Sequence, residues 1–506
     1  MIPLPRTLLA LVATAGGALA GSERTVTFNE EIAPIIHAKC ANCHRSGQIA
    51  PFPLLTYADV KRRAQQIVDV TDERFMPPWH ADPDVIEYAN DRSLKADEIK
   101  RIAQWVAAGK PEGDPAKTPA PPQFPEGWLG GEPDLIATMP EPFSVPAEGP
   151  DIYRNFVIPL NLEEDRWVSG AEFRPGEPSL VHHVLYFLDT KGVARGYDAK
   201  DPAPGYNGMG RSNSQFRYLG GWDLGTQPAE LPYGLALLVP KGSDLVIQVH
   251  YHPTGKPASD QSKVGFHFAK APTARPWTII PVPPHFGILQ GIDIAAGEKE
   301  HIQKASFIVP TDCETFAVGA HAHYLGKRME MTANFPDGST RWLLKMSDWD
   351  FAWQEDYSFK QPIKLPAGTR LDVLISYDNS EENPHQPTHP PKRVRWGPTS
   401  TDEMGVITLS VMFDQPEQKT TMHAALKRKL IEQFVDRLSE GDEYSFALVR
   451  GGPRSERKQQ FEAARLQLLF LDKNGDKTLD DEERRPAIEL ILNSGAMENI
   501  GSIGFD

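Results

Sequence analysis

Five consecutive residues, Cys40-Ala41-Asn42-Cys43-His44, carry the most specific chemistry in the chain. Two thiols three positions apart near a helix end can reach both vinyl groups of one porphyrin, and the following histidine then lies under the iron. The pattern therefore predicts one covalently attached haem c. Half a zinc site is the rival, but it would need two further Cys or His at matching spacing, and no second CxxC exists. Between Gly21 and Gly130 the only methionine is Met76, in Phe75-Met76-Pro77-Pro78. A thioether on a proline-stiffened loop is a candidate distal ligand that raises the haem potential towards that of an electron carrier, with His80 as its competitor.

A second group of ligand types follows: His182-His183, His250-Tyr251-His252 and His321-Ala322-His323. On a strand, HxH projects both imidazoles from one face, so His321 and His323 could grip one metal. The adjacent pair His182 and His183 points to opposite faces unless the backbone bulges or the rings coordinate through different nitrogens. Near the C-terminus, the twelve residues Asp472 to Glu483 read as a calcium loop. Asp472, Asn474, Asp476, Asp480 and Glu483 offer oxygens at positions 1, 3, 5, 9 and 12, and Thr478 its carbonyl at 7. Lys477 stands where glycine is usual, at a cost of roughly 1–2 kcal/mol for the left-handed turn, so a helix-turn-helix without metal is the alternative.

These residues need elements to position them. Ile32, Ile35, Ile36 and Cys40 recur at helical spacing, with Asn29 as the expected cap, and Ile99, Ile102, Ala103 and Val106 form a closing helix that ends at Gly109. Pro111 to Gly127 holds six prolines in seventeen positions, the signature of a semi-rigid tether. Beyond it come short apolar runs separated by Gly, Pro and Asp: Tyr153 to Leu160, Leu180 to Leu188, Asp244 to Tyr251, Ser306 to Val309, Met329 to Phe335, Arg370 to Tyr377 and Val406 to Phe413. Those runs are strands, and their number argues for two β-sandwiches in series with a junction near residues 270–285.

Composition bounds the reading. The chain has 506 residues, 40% of them hydrophobic, which is enough for several cores. A net charge of −15 with no basic arm excludes a nucleic-acid footprint. Three cysteines cannot build a disulfide framework, so Cys313 is expected as a buried free thiol. Arg6, the apolar run from Leu8 to Ala15 and Ala18-Leu19-Ala20 predict a cleaved signal peptide, with a mature start at Gly21. Leu8 to Ala20 is too short for the roughly 20 residues a membrane anchor needs, so an exported, periplasmic or secreted protein without an integral membrane segment is expected.

The stretch from CANCH through MPPW to WVAAGKPEGD resembles a class I type cytochrome c. LVHHVLYFLD, LVIQVHYHP, AHAHYLGKRMEM and TDEMGVITLSVMF, in this order, resemble the copper type II ascorbate-dependent monooxygenases, the group of peptidylglycine α-hydroxylating monooxygenase and dopamine β-monooxygenase, over about residues 130–415. That resemblance implies two jelly-roll-like sandwiches facing each other across a solvent-filled cleft. It implies one copper held by His182, His183 and His250, with His252 as the competitor of His250. A second, oxygen-binding copper would be held by His321, His323 and Met404, which then carry catalysis. Imidazole tolerates both copper oxidation states, and the soft thioether favours Cu(I). Peptide-amidating members grip the substrate carboxylate with an arginine two residues before the HxH and with Asn and Tyr just after the methionine. Gly319, Val406 and Thr408 stand there in this chain, so peptide-glycine specificity does not carry over. A multicopper oxidase is excluded because Cys313 has no adjacent histidine.

The expected organisation is a signal peptide (1–20), a helical cytochrome c domain (21–115), a Pro-rich linker (116–130), two mainly-β sandwiches (131–275 and 276–420) and a helical segment with the EF-hand-like loop (421–506). The expected function is hydroxylation of an activated C–H bond in a small-molecule or peptide-like organic substrate, using O2. Electrons would come from an external donor through the fused haem, with the tether setting its effective concentration. The alternative is a non-enzymatic haem and copper protein of electron transfer or metal binding, in which the haem docks an outside partner.

Overall fold

The computed structural model describes residues 25–440 apart from 47, 49, 126, 208–215, 224–229 and 271–274, and residues 466, 469–475 and 479–493. The expected leader, and Asp476 and Thr478 of the calcium loop, lie outside the described residues. The architecture is β-rich, with antiparallel sheets forming two sandwiches and helices at either end.

At the N-terminal end, a π-turn at Phe28–Ile32 runs into a helix at Ala33–Lys39, followed by helices at Tyr57–Asp72 and Ala96–Ala107. Their apolar faces meet in one core that includes Ile32, Ile36, Val60, Ile102 and Trp105. Asn29 does not cap the first helix. It is buried inside the opening turn, where its amide donates to the Asp114 carbonyl (3.1 Å) and ties the far end of the module back to its start.

The first sandwich packs a five-stranded sheet against a four-stranded one. In the larger sheet the spatial order is Tyr206–Asn207, Ile152–Pro159, Asp244–Tyr251, Val181–Asp189, Arg217–Asp223. Asp244–Tyr251 is buried along its whole length, as a central strand covered on both faces must be. The second sandwich pairs Trp277–Val282, Gly405–Met412, Cys313–Ala322 and Asp356–Leu365 in one sheet. His301–Ile308, Arg370–Tyr377, Gly326–Asn334 and Thr340–Met346 form the other. Cys313 is buried in this core with no disulfide, and burial pushes its thiol up to about 12.

A segment that the sequence places in the helical module packs elsewhere. Trp79, Ala81 and Tyr88 are buried in the core of the second sandwich. The Trp79 ring sits 4.9 Å from Tyr357, and Tyr88 stacks on Phe359 at 5.7 Å. Backbone hydrogen bonds from Asp82 to Lys345 (2.8 Å) and from Ala89 to Ser358 (2.7 Å) stitch this arm down. The Pro-rich stretch is likewise held. Phe28 and Asn29 donate to the carbonyls of Pro111 and Glu112, and the Arg45 guanidinium lies over Phe124 at 4.0 Å. The helical module is thus docked, and the tether's length does not set its concentration. Trp79→Ala is expected to cost about 3–5 kcal/mol, because a large side chain buried between the module and the sandwich would leave a cavity. Urea titration checks it: the midpoint should fall with the slope unchanged.

At the C-terminal end the helices Pro416–Glu440 and Asp481–Asn493 bury Ile431, Val435, Leu479 and Ile488 together against Leu289 of the second sandwich. No described helix is long and apolar enough to cross a membrane.

Candidate metal centres

His182 and His183 open the strand Val181–Asp189, which pairs with Asp244–Tyr251 so that His183 lies opposite His250. The register slips between Val181 and His183. This bulge turns two adjacent histidines towards one point, which a regular strand could not do. The Nδ1 atoms of His182 and His183 are 3.2 Å apart, and those of His183 and His250 are 3.3 Å apart. A tetrahedral ion with bonds of about 2.0 Å keeps its ligand nitrogens about 3.3 Å apart, so the three imidazoles are spaced to hold one metal.

The surroundings orient this trio. His250 Nε2 meets Asp151 Oδ2 at 2.8 Å, and the other carboxylate oxygen meets His252 Nδ1 at 2.8 Å. A carboxylate behind a ligating imidazole fixes its tautomer and raises its basicity. Burial pushes the Asp151 carboxyl up, but the hydrogen bonds with His250 and His252 outweigh it and hold the group at about 2. The Tyr153 ring stacks on His250 at 4.2 Å. His252 is two-thirds exposed and stays outside the trio. Burial, reinforced by the neighbouring His250, lowers His182 to about 4, and burial drives His183 well below its ordinary value.

Depressed values decide the pH range of metal binding. A proton competes with the metal only below the imidazole's own pKa, so lowering that pKa extends occupancy to more acid solution. Burial should therefore keep His182 and His183 deprotonated and able to ligate at pH 5.5, where an exposed histidine is largely protonated, and metal held by them should be lost as the pH falls towards 4. Chelator competition across that range measures it.

The second constellation sits at the end of the strand Cys313–Ala322. His321 pairs with Val406 and Ala322 with Gly405. Just past the end of this register, the N–H groups of His323 and Met404 share one acceptor, Glu403 Oε2. The two imidazole rings are 5.2 Å apart and perpendicular. His321 Nδ1 meets Gln354 Oε1 at 2.5 Å, and His323 Nδ1 meets the Asp402 carbonyl at 3.1 Å. With both Nδ1 atoms engaged by oxygen acceptors, both Nε2 lone pairs remain for a ligand. Two imidazoles and a thioether form a donor set suited to copper that cycles through Cu(I). Glu403, fully buried, accepts from the backbone N–H groups of His323 (3.0 Å), Leu325 (2.7 Å) and Met404 (3.1 Å).

The two constellations are close neighbours. The buried Phe351 ring lies 6.3 Å from His182 and 5.5 Å from His323. Where the resemblance implies a solvent-filled cleft, an aromatic side chain therefore bridges the approach. A second departure has a steric cause. A Cβ at Gly319 would collide with the Asp356 carboxylate and lie 3.0 Å from the Thr408 hydroxyl, so a side chain at the place where the amidating enzymes have arginine would require the Asp356 carboxylate to move.

In the helical module, Cys40 caps its helix, and the N–H groups of Cys43 and His44 return to the Cys40 carbonyl at 3.2 and 3.0 Å. His44 Nδ1 meets the Phe52 carbonyl at 3.1 Å, leaving Nε2 available. Burial pushes the Cys40 thiol up to about 12. Met76 follows the helix Tyr57–Asp72, with its N–H on the Val70 carbonyl at 2.9 Å, and His80 Nδ1 bonds the Asp348 carbonyl of the second sandwich at 3.1 Å. In the C-terminal loop, Glu483 accepts from the N–H groups of Lys473 (2.5 Å) and Asp480 (3.1 Å). Asp472 accepts from Gly475 (2.6 Å), and Asp480 caps the following helix through Glu482 and Glu483.

Asp151, Phe351, Gln354 and Glu403 have no sequence signature. Only Glu403 lies beside a ligand in the chain, and the others are brought in by the fold.

No protein-family model matches the chain, and no curated protein matches it. Among solved structures it is similar to PNGF-II, at 9% identity and a TM-score of 0.23, with 55% of this chain and 65% of that one covered. It is also similar to the major capsid protein P2 of bacteriophage PM2, at 8% identity and a TM-score of 0.21, with 55% of this chain and 96% of that one covered.

Proposed function

We propose that this is an exported copper-dependent monooxygenase that hydroxylates an activated C–H bond of an organic substrate with O2, drawing electrons from an external donor through its own haem c. The observation that carries this reading is the pairing of two distinct donor sets in neighbouring sandwiches. One is a trio that converges through Nδ1, and the other is an HxH whose Nε2 atoms stay open, with the backbone N–H groups of His323 and Met404 sharing Glu403 Oε2. Copper at the two sites would supply one-electron cycling and dioxygen reduction, and a haem attached to Cys40 and Cys43 and held by His44 and Met76 would supply single electrons.

The residues then divide the work. His182, His183 and His250 hold a redox ion without a thioether, and Asp151 keeps the His250 ring turned inward. His321, His323 and Met404 would hold the second ion, which would supply the dioxygen chemistry directed at the substrate. Phe351 excludes water between the two sites. Gly319 supplies no arginine clamp, which favours a substrate that needs none on a carboxylate. The C-terminal loop is proposed to bind calcium through Asp472, Asn474, Asp476, Thr478, Asp480 and Glu483.

One sample decides the composition: one haem by its visible spectrum and two coppers by metal analysis. Oxygen uptake with a reductant and candidate substrates, compared with Met404→Ala, decides the activity. Uptake that is unchanged in Met404→Ala would leave the non-enzymatic haem and copper protein as the reading.

A further inference from the structure

The loop 347–355, which links the strand Thr340–Met346 of one sheet to Asp356–Leu365 of the other, is held on two sides by unrelated parts of the molecule. On its outer side the arm of the helical module grips it. Asp82 accepts from the Ser347 N–H (2.9 Å) and hydroxyl (2.7 Å). His80 Nδ1 meets the Asp348 carbonyl at 3.1 Å, and Arg92 pairs with Glu355 at 3.0 Å. Just past the loop, Asn90 donates to the Asp356 carbonyl (2.8 Å) and accepts from the Ser358 N–H (3.0 Å).

On its inner side the same loop reaches both metal centres. Trp349 Nε1 donates to the His323 carbonyl at 3.2 Å. Gln354 Oε1 meets His321 Nδ1 at 2.5 Å. Phe351 places its ring against His182 and His323. These nine residues contain no regular helix or strand, so their shape must come from the contacts at their two faces.

We propose that the arm of the helical module positions the second histidine pair through this loop, with Asp82 and Arg92 acting as positioning residues for the His321 and His323 imidazoles. The inference rests on the reading of His321, His323 and Met404 as a metal centre and adds to it. The helical module becomes a structural part of that centre as well as an electron donor. A ligand's ring orientation is set by the partner of its other nitrogen, and here that partner, Gln354, rides on a loop that the donor module clamps. The trio of the first sandwich takes its orientation from Asp151 and Tyr153 instead, so it lies outside this linkage apart from the Phe351 contact.

The test uses the full-length chain labelled with 15N-histidine, comparing Asp82→Ala, Arg92→Met and Gln354→Leu. These substitutions leave the buried Trp79 and Tyr88 anchors in place, and circular dichroism verifies that the fold is retained. In the metal-free protein the imidazole 15N resonances of His321 and His323 should move in both arm variants in the same sense as in Gln354→Leu, while those of His182, His183 and His250 stay. With Cu(II) added, one of two copper EPR signals should change. Affinity at that site should fall in Gln354→Leu within the roughly 10–100-fold range that loss of an outer partner costs, and by less in the arm variants.

Two results overturn the proposal. One is unmoved His321 and His323 resonances although hydrogen exchange shows the Asp82 and Ala89 amides freed. The other is an equal shift of all five histidines, which would make the arm a general scaffold. Wild-type protein that takes up fewer than two coppers would instead overturn the enzyme reading, while the metal-free resonances still decide the linkage.

Discussion

Replacing His250 with alanine will weaken metal binding at the first centre by more than about 100-fold. Losing only the outer partner of a ligand costs roughly 10–100-fold, and this substitution removes the ligand itself together with its link to that partner. Two nitrogens on neighbouring positions of one strand remain, which cannot close a tetrahedral site. The Asp151 carboxylate then has only the exposed His252 to engage it. His252→Ala gives the contrast. It leaves the trio and the Asp151–His250 bond in place, so its effect should stay well below that of Asp151→Ala. Copper titration against a competing chelator, on all three variants, measures the order His250 > Asp151 > His252. Equal losses from His250→Ala and His252→Ala would remove the argument for which imidazole is the ligand.

That contrast also marks where sequence reasoning stops. His250 and His252 share a face of the same run, so alternation cannot separate them, and the sequence left both open. Register separates them. The strand ends at Tyr251, His250 sits opposite His183, and His252 has passed the edge, where its N–H bonds the Leu180 carbonyl at 2.9 Å. That His182-His183 can share one ion only through a bulge or through different ring nitrogens is readable from adjacency alone, whereas the presence and place of the bulge need the partner strand. Asp151, Gln354 and Phe351 come from a strand edge and a loop far away in sequence, and no local pattern announces them.

The strands show the same division. Asp244 to Tyr251 and Arg370 to Tyr377 coincide with the observed elements, because a continuous or alternating apolar run bounded by turn residues depends on local chemistry. The helix Tyr57–Asp72 is hard to see in the sequence, although Val60, Ala64, Ile67 and Thr71 recur on one buried face. The charged run Lys61-Arg62-Arg63 between them hides the period. The arm was misplaced for a different reason. Trp79 and Tyr88 are apolar residues in a Pro- and Asp-rich stretch, and nothing local says which of two cores receives them.

At Glu403 a large loss of stability is expected to come together with a loss of metal. Its carboxylate has no exposure to solvent and accepts three backbone N–H groups, those of His323, Leu325 and Met404. In Glu403→Ala these donors keep their burial and lose their acceptor, at about 1–3 kcal/mol each, so a loss of roughly 3 kcal/mol or more follows. Against the 5–15 kcal/mol that holds a typical domain folded, that is a large fraction. The same bonds bracket His323 and Met404, two of the three ligands proposed for the second centre, so on that reading the variant should also lose one of two coppers. Glu403→Gln separates the effects. One amide oxygen can still accept from His323 and Met404 through the position of Oε2, whereas the amide nitrogen faces the Leu325 N–H. The glutamine variant should therefore be destabilised by a single lost acceptor yet retain its second copper. Denaturation midpoints and metal content from the same samples test both halves, and an alanine variant of native stability would show that the three N–H groups find other partners.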